Sequence, residues 1–399
     1  MQNANSATQK AEPERGTLAS VAAVYSPAAL FSSAYPELWL GARSPFGLAL
    51  PDAQPTPAQL YAPRGVYLDD QYLIVADSGN HRVMIWHGVP AADEQPADVV
   101  LGQPDFYSEG ARAGGRGPER GLHLPTGVAV YEGRLLVADS WHHRVLIWNQ
   151  VPQHSDVAPD LVIGQADLFS VSENRGRACD ALTLYWPYGM GYVAGWFYIT
   201  DTGNRRVLGW NGLPEPDQPP DLILGQPDAC SRLENRGGDA RGDSFRWPHA
   251  VAGDATRLLI ADAGNHRVLG WAPRPEHDRP ADLALGQPDL YSNGEFSYRP
   301  QGPQRLRFPY AISYEAGLLA VADTANNRVL LWRDPPQSGA FHPADAVLSQ
   351  PSFDVTGENR WKLVERDTLC WPYGIHLHRN RLAIADSGNN RVMVWQLEV

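Results

Sequence analysis

Short apolar runs alternate with Gly, Pro, Asn and Asp along most of the chain. One clear run, Tyr72-Leu-Ile-Val-Ala, leads into Asp77-Ser-Gly-Asn-His and then into Arg82-Val-Met-Ile-Trp86. Two apolar runs joined through a Gly/Asn turn predict a tight antiparallel pair. A proline-headed piece, Pro63-Arg-Gly-Val-Tyr-Leu, comes before that pair, and Asp98-Val-Val-Leu-Gly-Gln-Pro follows it. Each unit therefore reads as four short strands.

The unit recurs six times. Its turns begin at Asp77, Asp139, Asp201, Asp262, Asp323 and Asp386, at spacings of 62, 62, 61, 61 and 63, and each is followed nine residues later by a tryptophan. A fixed period of this size means supersecondary units that bury their faces on one another. Four antiparallel strands repeated six times predict an all-β fold, a six-bladed β-propeller with four-stranded blades. Glu37-Leu-Trp-Leu-Gly-Ala42 resembles a fourth strand such as Leu161-Val-Ile-Gly-Gln165, yet it stands alone before the first full repeat. The last repeat reaches Val399 with only three strands. The N-terminal strand is thus expected to complete the last blade and remove the ring's open edge. The expected domains are 1–36, a disordered N-terminal segment, and 37–399, the propeller.

The motif Asp-x-Gly-Asn-(His/Arg/Asn)-Arg-Val, preceded by Val/Ile-Ala-Asp and by Pro-x-Gly-Val, resembles the NHL-repeat β-propeller family over about residues 37–399. The resemblance implies the fold but no single function. Members include enzymes, RNA binders and protein-interaction scaffolds, so function must be read from the site.

Segment lengths sort the two faces of the disc. The intervals from blade proline to turn aspartate (14) and from glutamine to the next blade proline (22) never change, whereas the tryptophan-to-glutamine interval runs 17, 17, 16, 16 and 18. The varying segment joins third to fourth strands and should mark a tolerant face. Substitutions there, at Asp93 or Glu276, are expected to do little to binding. The face with the constant blade-to-blade connections should carry packed, ordered segments, among them Glu173-Asn-Arg-Gly176, Glu234-Asn-Arg-Gly237 and Glu358-Asn-Arg360.

Six Asp/Arg pairs, such as Asp77/Arg82 and Asp201/Arg206, occur once per blade. A catalytic site needs asymmetry, so sixfold repetition predicts structural bracing. The repeated glutamines and tryptophans read the same way, as do His81 and His266. The residue after each blade proline behaves differently: Arg64, Thr126, Tyr188, His249, Tyr310 and Tyr373 carry four residue types at one repeat position. They head the innermost strands and should ring the channel mouth on the constant face, with Trp186, Trp247, Phe308 and Trp371 behind them. An aromatic, polar, asymmetric ring suits a ligand or peptide pocket, though tyrosines can also simply plug a channel. Blade two replaces Gly-Asn of the turn by Trp141-His142, which makes Trp141 a candidate contact residue on the same face.

Catalytic signatures are lacking. No Gly-x-Ser-x-Gly or phosphate loop is present. His123, His249 and His376 could together offer three imidazoles to zinc, and amidating lyases of the resembled family use channel histidines so. Here they sit at offsets of -2, +1 and +4 from their blade prolines, which does not match that pattern. No metal and no cofactor is expected. Cys179, Cys230 and Cys370 are isolated thiols.

Charge and targeting narrow the partners. A net charge of -12 opposes nucleic acid, whose phosphates want a basic face. No apolar run reaches the ~18 residues of a membrane span. Residues 18–31 are mildly apolar, but Glu12, Glu14 and Pro27 are wrong for a signal peptide, so a cytoplasmic location is expected. The favoured reading is a rigid scaffold that binds a partner protein or peptide. A lyase, hydrolase or small-ligand binder at the channel mouth is the alternative, and RNA binding comes third.

Overall fold

The computed structural model describes residues 24–25, 33–41, 55–296 and 298–398. It is a six-bladed β-propeller with four-stranded blades, numbered here one to six along the chain. Blade one is made of Gly65–Leu68, Tyr72–Asp77, Arg82–His87 and Val99–Leu101, from the channel outward. Blade six takes its three inner strands from Pro372–His378, Arg381–Asp386 and Arg391–Glu398. Its fourth is Ser33–Gly41, antiparallel to Arg391–Glu398 with Ser33 opposite Glu398 and Gly41 opposite Arg391. The expected closure is therefore present. The closing strand begins at Ser33 rather than at 37, and most of the segment 1–36 lies outside the described residues.

Apolar residues collect between blades, not within them. Leu38 and Leu40 of the closing strand pack with Val66, Val75, Met84 and Trp86 of blade one. Ile74, Ile85 and Leu101 of blade one meet Leu135, Val137 and Trp148 of blade two. Each sheet is a wall shared by two cores, which is why its middle strands are apolar on both faces.

Every repeated Asp/Arg pair is fully buried, with Arg Nε 2.7–3.0 Å from Asp Oδ2. The guanidinium does more than neutralise. Arg82 donates to the carbonyl oxygens of Phe106, Thr56 and Gln59, so it ties the connection leaving its blade to the one entering it. Arg144, Arg206, Arg267 and Arg328 repeat this. Each connection is held near its start by the arginine of the blade it leaves and near its end by the arginine of the blade it enters, as Phe106 is by Arg82 and Pro118 by Arg144, which fixes its length. The glutamines add a second tie: Gln103 Nε2 donates to the carbonyls of Asn80 and Gly110. In the Glu-Asn-Arg connections, Asn174 and Asn235 form amide pairs with the turn asparagines Asn204 and Asn265.

The varying segments are not the free surface their lengths suggest. Each folds along the outer strand of the preceding blade. Asp156 N–H donates to the Val100 carbonyl, and Val100 N–H donates to Ser155 Oγ. Gly339–Ala340 of blade five pairs in parallel with Leu283–Leu285 of blade four. At blade five the outer edge is covered by Val24–Tyr25, which pairs antiparallel with Val24 opposite Leu348. An exposed strand edge invites pairing with other chains, and these segments occupy it. Asp93 shows the consequence. Its carboxylate accepts Trp39 N–H of the closing strand at 2.9 Å and binds Arg366 at 2.5 and 3.1 Å. Asp93→Ala should therefore lower stability by about 1–2 kcal/mol, the scale of a lost charge-assisted bond. Exposed Glu276→Ala should not. Urea unfolding of the two variants checks this, and equal midpoints would refute the edge-cap role of Asp93.

Candidate functional site

The inner strands approach so closely that their early residues have no room for bulk. A Cβ on Gly189 would stand 2.3 Å from the His249 carbonyl, and one on Gly374 would stand 2.3 Å from the Arg64 carbonyl. Just before these residues the strand pairing slips. In blades three to six the register shifts after Pro187, Pro248, Pro309 and Pro372. A bulge re-aims one side chain. Here it turns Tyr188, His249, Tyr310 and Tyr373 onto the channel axis.

There the varied residues meet. Ring centroids are 4.1 Å apart for Tyr188 and His249, 4.4 Å for His249 and Tyr310, and 4.7 Å for Tyr310 and Tyr373. The Arg64 guanidinium lies over the Tyr373 ring at 5.0 Å. Thr126 Oγ1 donates to the Tyr188 carbonyl. One half of this ring is sealed, with Thr126, Tyr188 and His249 at 2%, 3% and 1% exposure, whereas Arg64, Tyr310 and Tyr373 are half-buried. Pocket and plug are thus both present. A cavity of about 250 Å³ runs along the inner strands of all six blades, walled by this ring and by Tyr131, Tyr192 and Tyr314 further along.

Two electrostatic features stand out. No Asp or Glu lines the cavity, and Arg64 has no carboxylate partner among the described residues. His249 is held neutral: burial pushes its pKa down to about 3, and nearby Arg64 acts in the same direction. Its Nδ1 lies 2.8 Å from the Trp247 carbonyl, to which it donates, and this leaves the buried Nε2 as a bare acceptor without a partner. The Tyr188 hydroxyl is likewise buried and lies within reach of Arg64. Burial raises its pKa well above the usual value, opposed by the charge of Arg64.

The neutral histidine has a pH consequence. An unfolded histidine titrates near 6.5. Between that value and about 3 the unfolded chain takes up a proton that folded His249 refuses. The stability this group contributes is complete above pH ~6.5 and is lost as pH falls through that window. The urea midpoint should drop between pH 7 and pH 5, and His249→Phe should flatten the drop. An unchanged slope in that variant would remove His249 from the account.

The other histidines divide by role. His81 and His266 serve the repeat: their Nδ1 atoms accept the N–H of Leu124 and Phe308 from the next blade. Burial lowers both to about 4. His143 plays this part for Trp186. Arg205 offers no acceptor at the equivalent place, so Trp247 N–H turns to Asp262 instead. His142 stands in for the turn asparagine, 2.8 Å from Asp139. His123 stacks near Trp141 at 5.7 Å, and His376 packs on Tyr67 at 4.7 Å. No group of three or more His, Cys, Asp or Glu that could hold a metal ion occurs among the described residues. Trp141 is half-exposed against His123 and has no ring contact with the six channel residues.

Sequence reasoning missed one repeated device. Ser78, Ser140, Thr202, Thr324 and Ser387 each donate a hydroxyl proton to the proline carbonyl of the next blade. The signal was a Ser or Thr after the turn aspartate in five blades. Blade four has Ala263 there and makes no such bond.

No curated protein matches the chain. The solved structures it resembles are distant ones. A chain of a nidogen/laminin complex is 16% identical with TM-score 0.41, covering 72% of this chain and 84% of that one. A PQQ-bound aldose sugar dehydrogenase from Streptomyces coelicolor is 13% identical with TM-score 0.46, covering 92% and 98%. A catalytically inactive virginiamycin B lyase from Staphylococcus aureus, with quinupristin, is 10% identical with TM-score 0.42, covering 84% and 94%. At such distances none speaks to function. The NHL repeat family matches residues 122–148, the end of a connection and the first three strands of blade two. That matched unit recurs six times around a closed ring, so the match and the six-bladed fold together support an NHL-repeat propeller.

Proposed function

We propose that the propeller is a rigid scaffold that binds a partner protein or peptide on the face of the constant connections. The observation that carries this reading is the aromatic rim around the channel mouth. Trp371 is 51% exposed, and Trp247 and Phe308 stack at 6.2 Å beside it, each half-buried. Large aromatics with one open face are the residues that dominate binding hot spots. The loops that present them are fixed by buried arginines, so little ordering cost remains to be met on association. Trp141 extends the surface outward over blade two.

Selection of peptides from a displayed library on the immobilised protein tests the proposal. A selected peptide should lose about tenfold or more in affinity to Trp371→Ala, the effect of a modest hot spot. Exposed Glu276→Ala, on the varying segments, should leave affinity unchanged. Peptides that survive Trp371→Ala, Trp247→Ala and Trp141→Ala would place binding elsewhere.

A further inference from the structure

The channel beneath the rim has features that protein contact does not use. Its walls carry one cation and no acid. Arg64 is half-buried, has no carboxylate within reach among the described residues, and touches the face of Tyr373. The chain as a whole carries a net charge of -12, and Arg64 sets a positive charge against that background at the mouth of a cavity whose lining holds no carboxylate. Beside it, His249 at 1% exposure leaves Nε2 unpartnered, and Tyr188 at 3% exposure has its hydroxyl within reach of Arg64. Buried polar groups normally find partners, and an unpartnered buried acceptor beside a cation with no carboxylate, on one cavity, points to a ligand.

We propose that the channel binds a small organic acid, with its carboxylate on Arg64, its apolar body among Tyr188, Tyr310 and Tyr373, and a hydrogen-bond donor offered to His249 Nε2. A guanidinium fork matches a carboxylate with two parallel hydrogen bonds. The Nε2 lone pair cannot bind an anion, because neutral His249 already commits its proton to Trp247. It therefore selects a hydroxyl or amine on the ligand. The cavity of about 250 Å³ lies just below the roughly 300–1,000 Å³ range of ligand pockets, which restricts the ligand to a small molecule or the terminal residue of a chain. This assignment does not depend on the rim being a partner surface.

Calorimetric titration with 4-hydroxyphenylacetate, phenylacetate and 4-hydroxyphenylacetamide separates the parts. The hydroxy acid should bind, the amide should bind at least tenfold more weakly, and Arg64→Gln should abolish the difference between them. The hydroxy acid should lead phenylacetate, and His249→Phe should erase that lead. An acetylated tripeptide ending in tyrosine, as free acid and as amide, distinguishes a chain terminus from a free acid: binding of its free acid alone points to the terminus. Melting curves at constant ionic strength, with and without each acid, give a second readout in the same variants. Failure of every carboxylate to bind or to raise the melting temperature overturns the proposal, as does equal binding by Arg64→Gln. Trp371→Ala should leave acid binding intact, so loss of rim binding and loss of channel binding are read separately.

Discussion

Arg206→Ala should destabilise the propeller by about 3–5 kcal/mol, the cost of leaving one partner of a buried ion pair alone. Arg206 Nε holds Asp201 at 2.8 Å, and its other nitrogens donate to the carbonyls of Ala229, Asp180 and Thr183. Alanine strands a carboxylate with no exposure and three carbonyls that belong to two different connections. Asp201 keeps the N–H of Tyr185 and the amide of Asn204, which hydrogen-bond but do not neutralise it. Urea unfolding should show the midpoint fall with partner affinity per folded molecule unchanged. A parent-like midpoint would mean that the connections are held by something other than the arginine hub. Affinity lost at unchanged stability would make the pair functional instead.

This hub explains what was and was not legible in the sequence. Periodicity exposed the blades because each strand must present apolar residues to two cores, and the turn aspartate and arginine recur because every blade needs the same tie. Constant connection length was a physical signal too, since its two ends meet the buried guanidiniums of the two blades it joins. Varying length misled. A segment that caps a neighbour's edge through a few backbone bonds and an aspartate such as Asp93 or Asp278 can bulge elsewhere, so its length drifts while its anchor stays. The channel ring was found from residue variety at one position, but the bulge that aims it left no mark, because Tyr and His there need no special backbone. The exposure of its members was equally hidden. Tyr188 and Tyr373 are the same residue at the same repeat position, yet Tyr188 is sealed between His249 and Tyr310 while Tyr373 lies open under Arg64.

Deleting residues 1–41 should abolish cooperative folding. Ser33–Gly41 supplies Leu38, Trp39 and Leu40 to the cores on both sides of blade six. Each buried side chain of this size contributes about 1.5–3 kcal/mol. The strand also shields Arg391, whose guanidinium lies 4.0 Å from the Trp39 ring, and without it the backbone of Arg391–Glu398 becomes an open edge. In blade six Trp395 Nε1 has no partner among the described residues, whereas Trp86, Trp148 and Trp210 each donate to a carbonyl of their own third-to-fourth segment. Loss of the strand would weaken the seam between blades six and one, leaving bonds such as Ser387 to the Pro63 carbonyl and Ala62 N–H to Asn390 to hold it without Leu38 and Leu40 in the core between them. Deleting residues 1–32 spares Ser33–Gly41 and, among the described residues, removes the pairing of Val24–Tyr25 with Val347–Leu348, so it should melt in one transition within a few degrees of the parent. Calorimetry and size-exclusion chromatography of the two truncations decide the matter. The expected result for the longer deletion is a broad, low-enthalpy melt with aggregation. A sharp parent-like transition there would show that the propeller holds together without its closing strand.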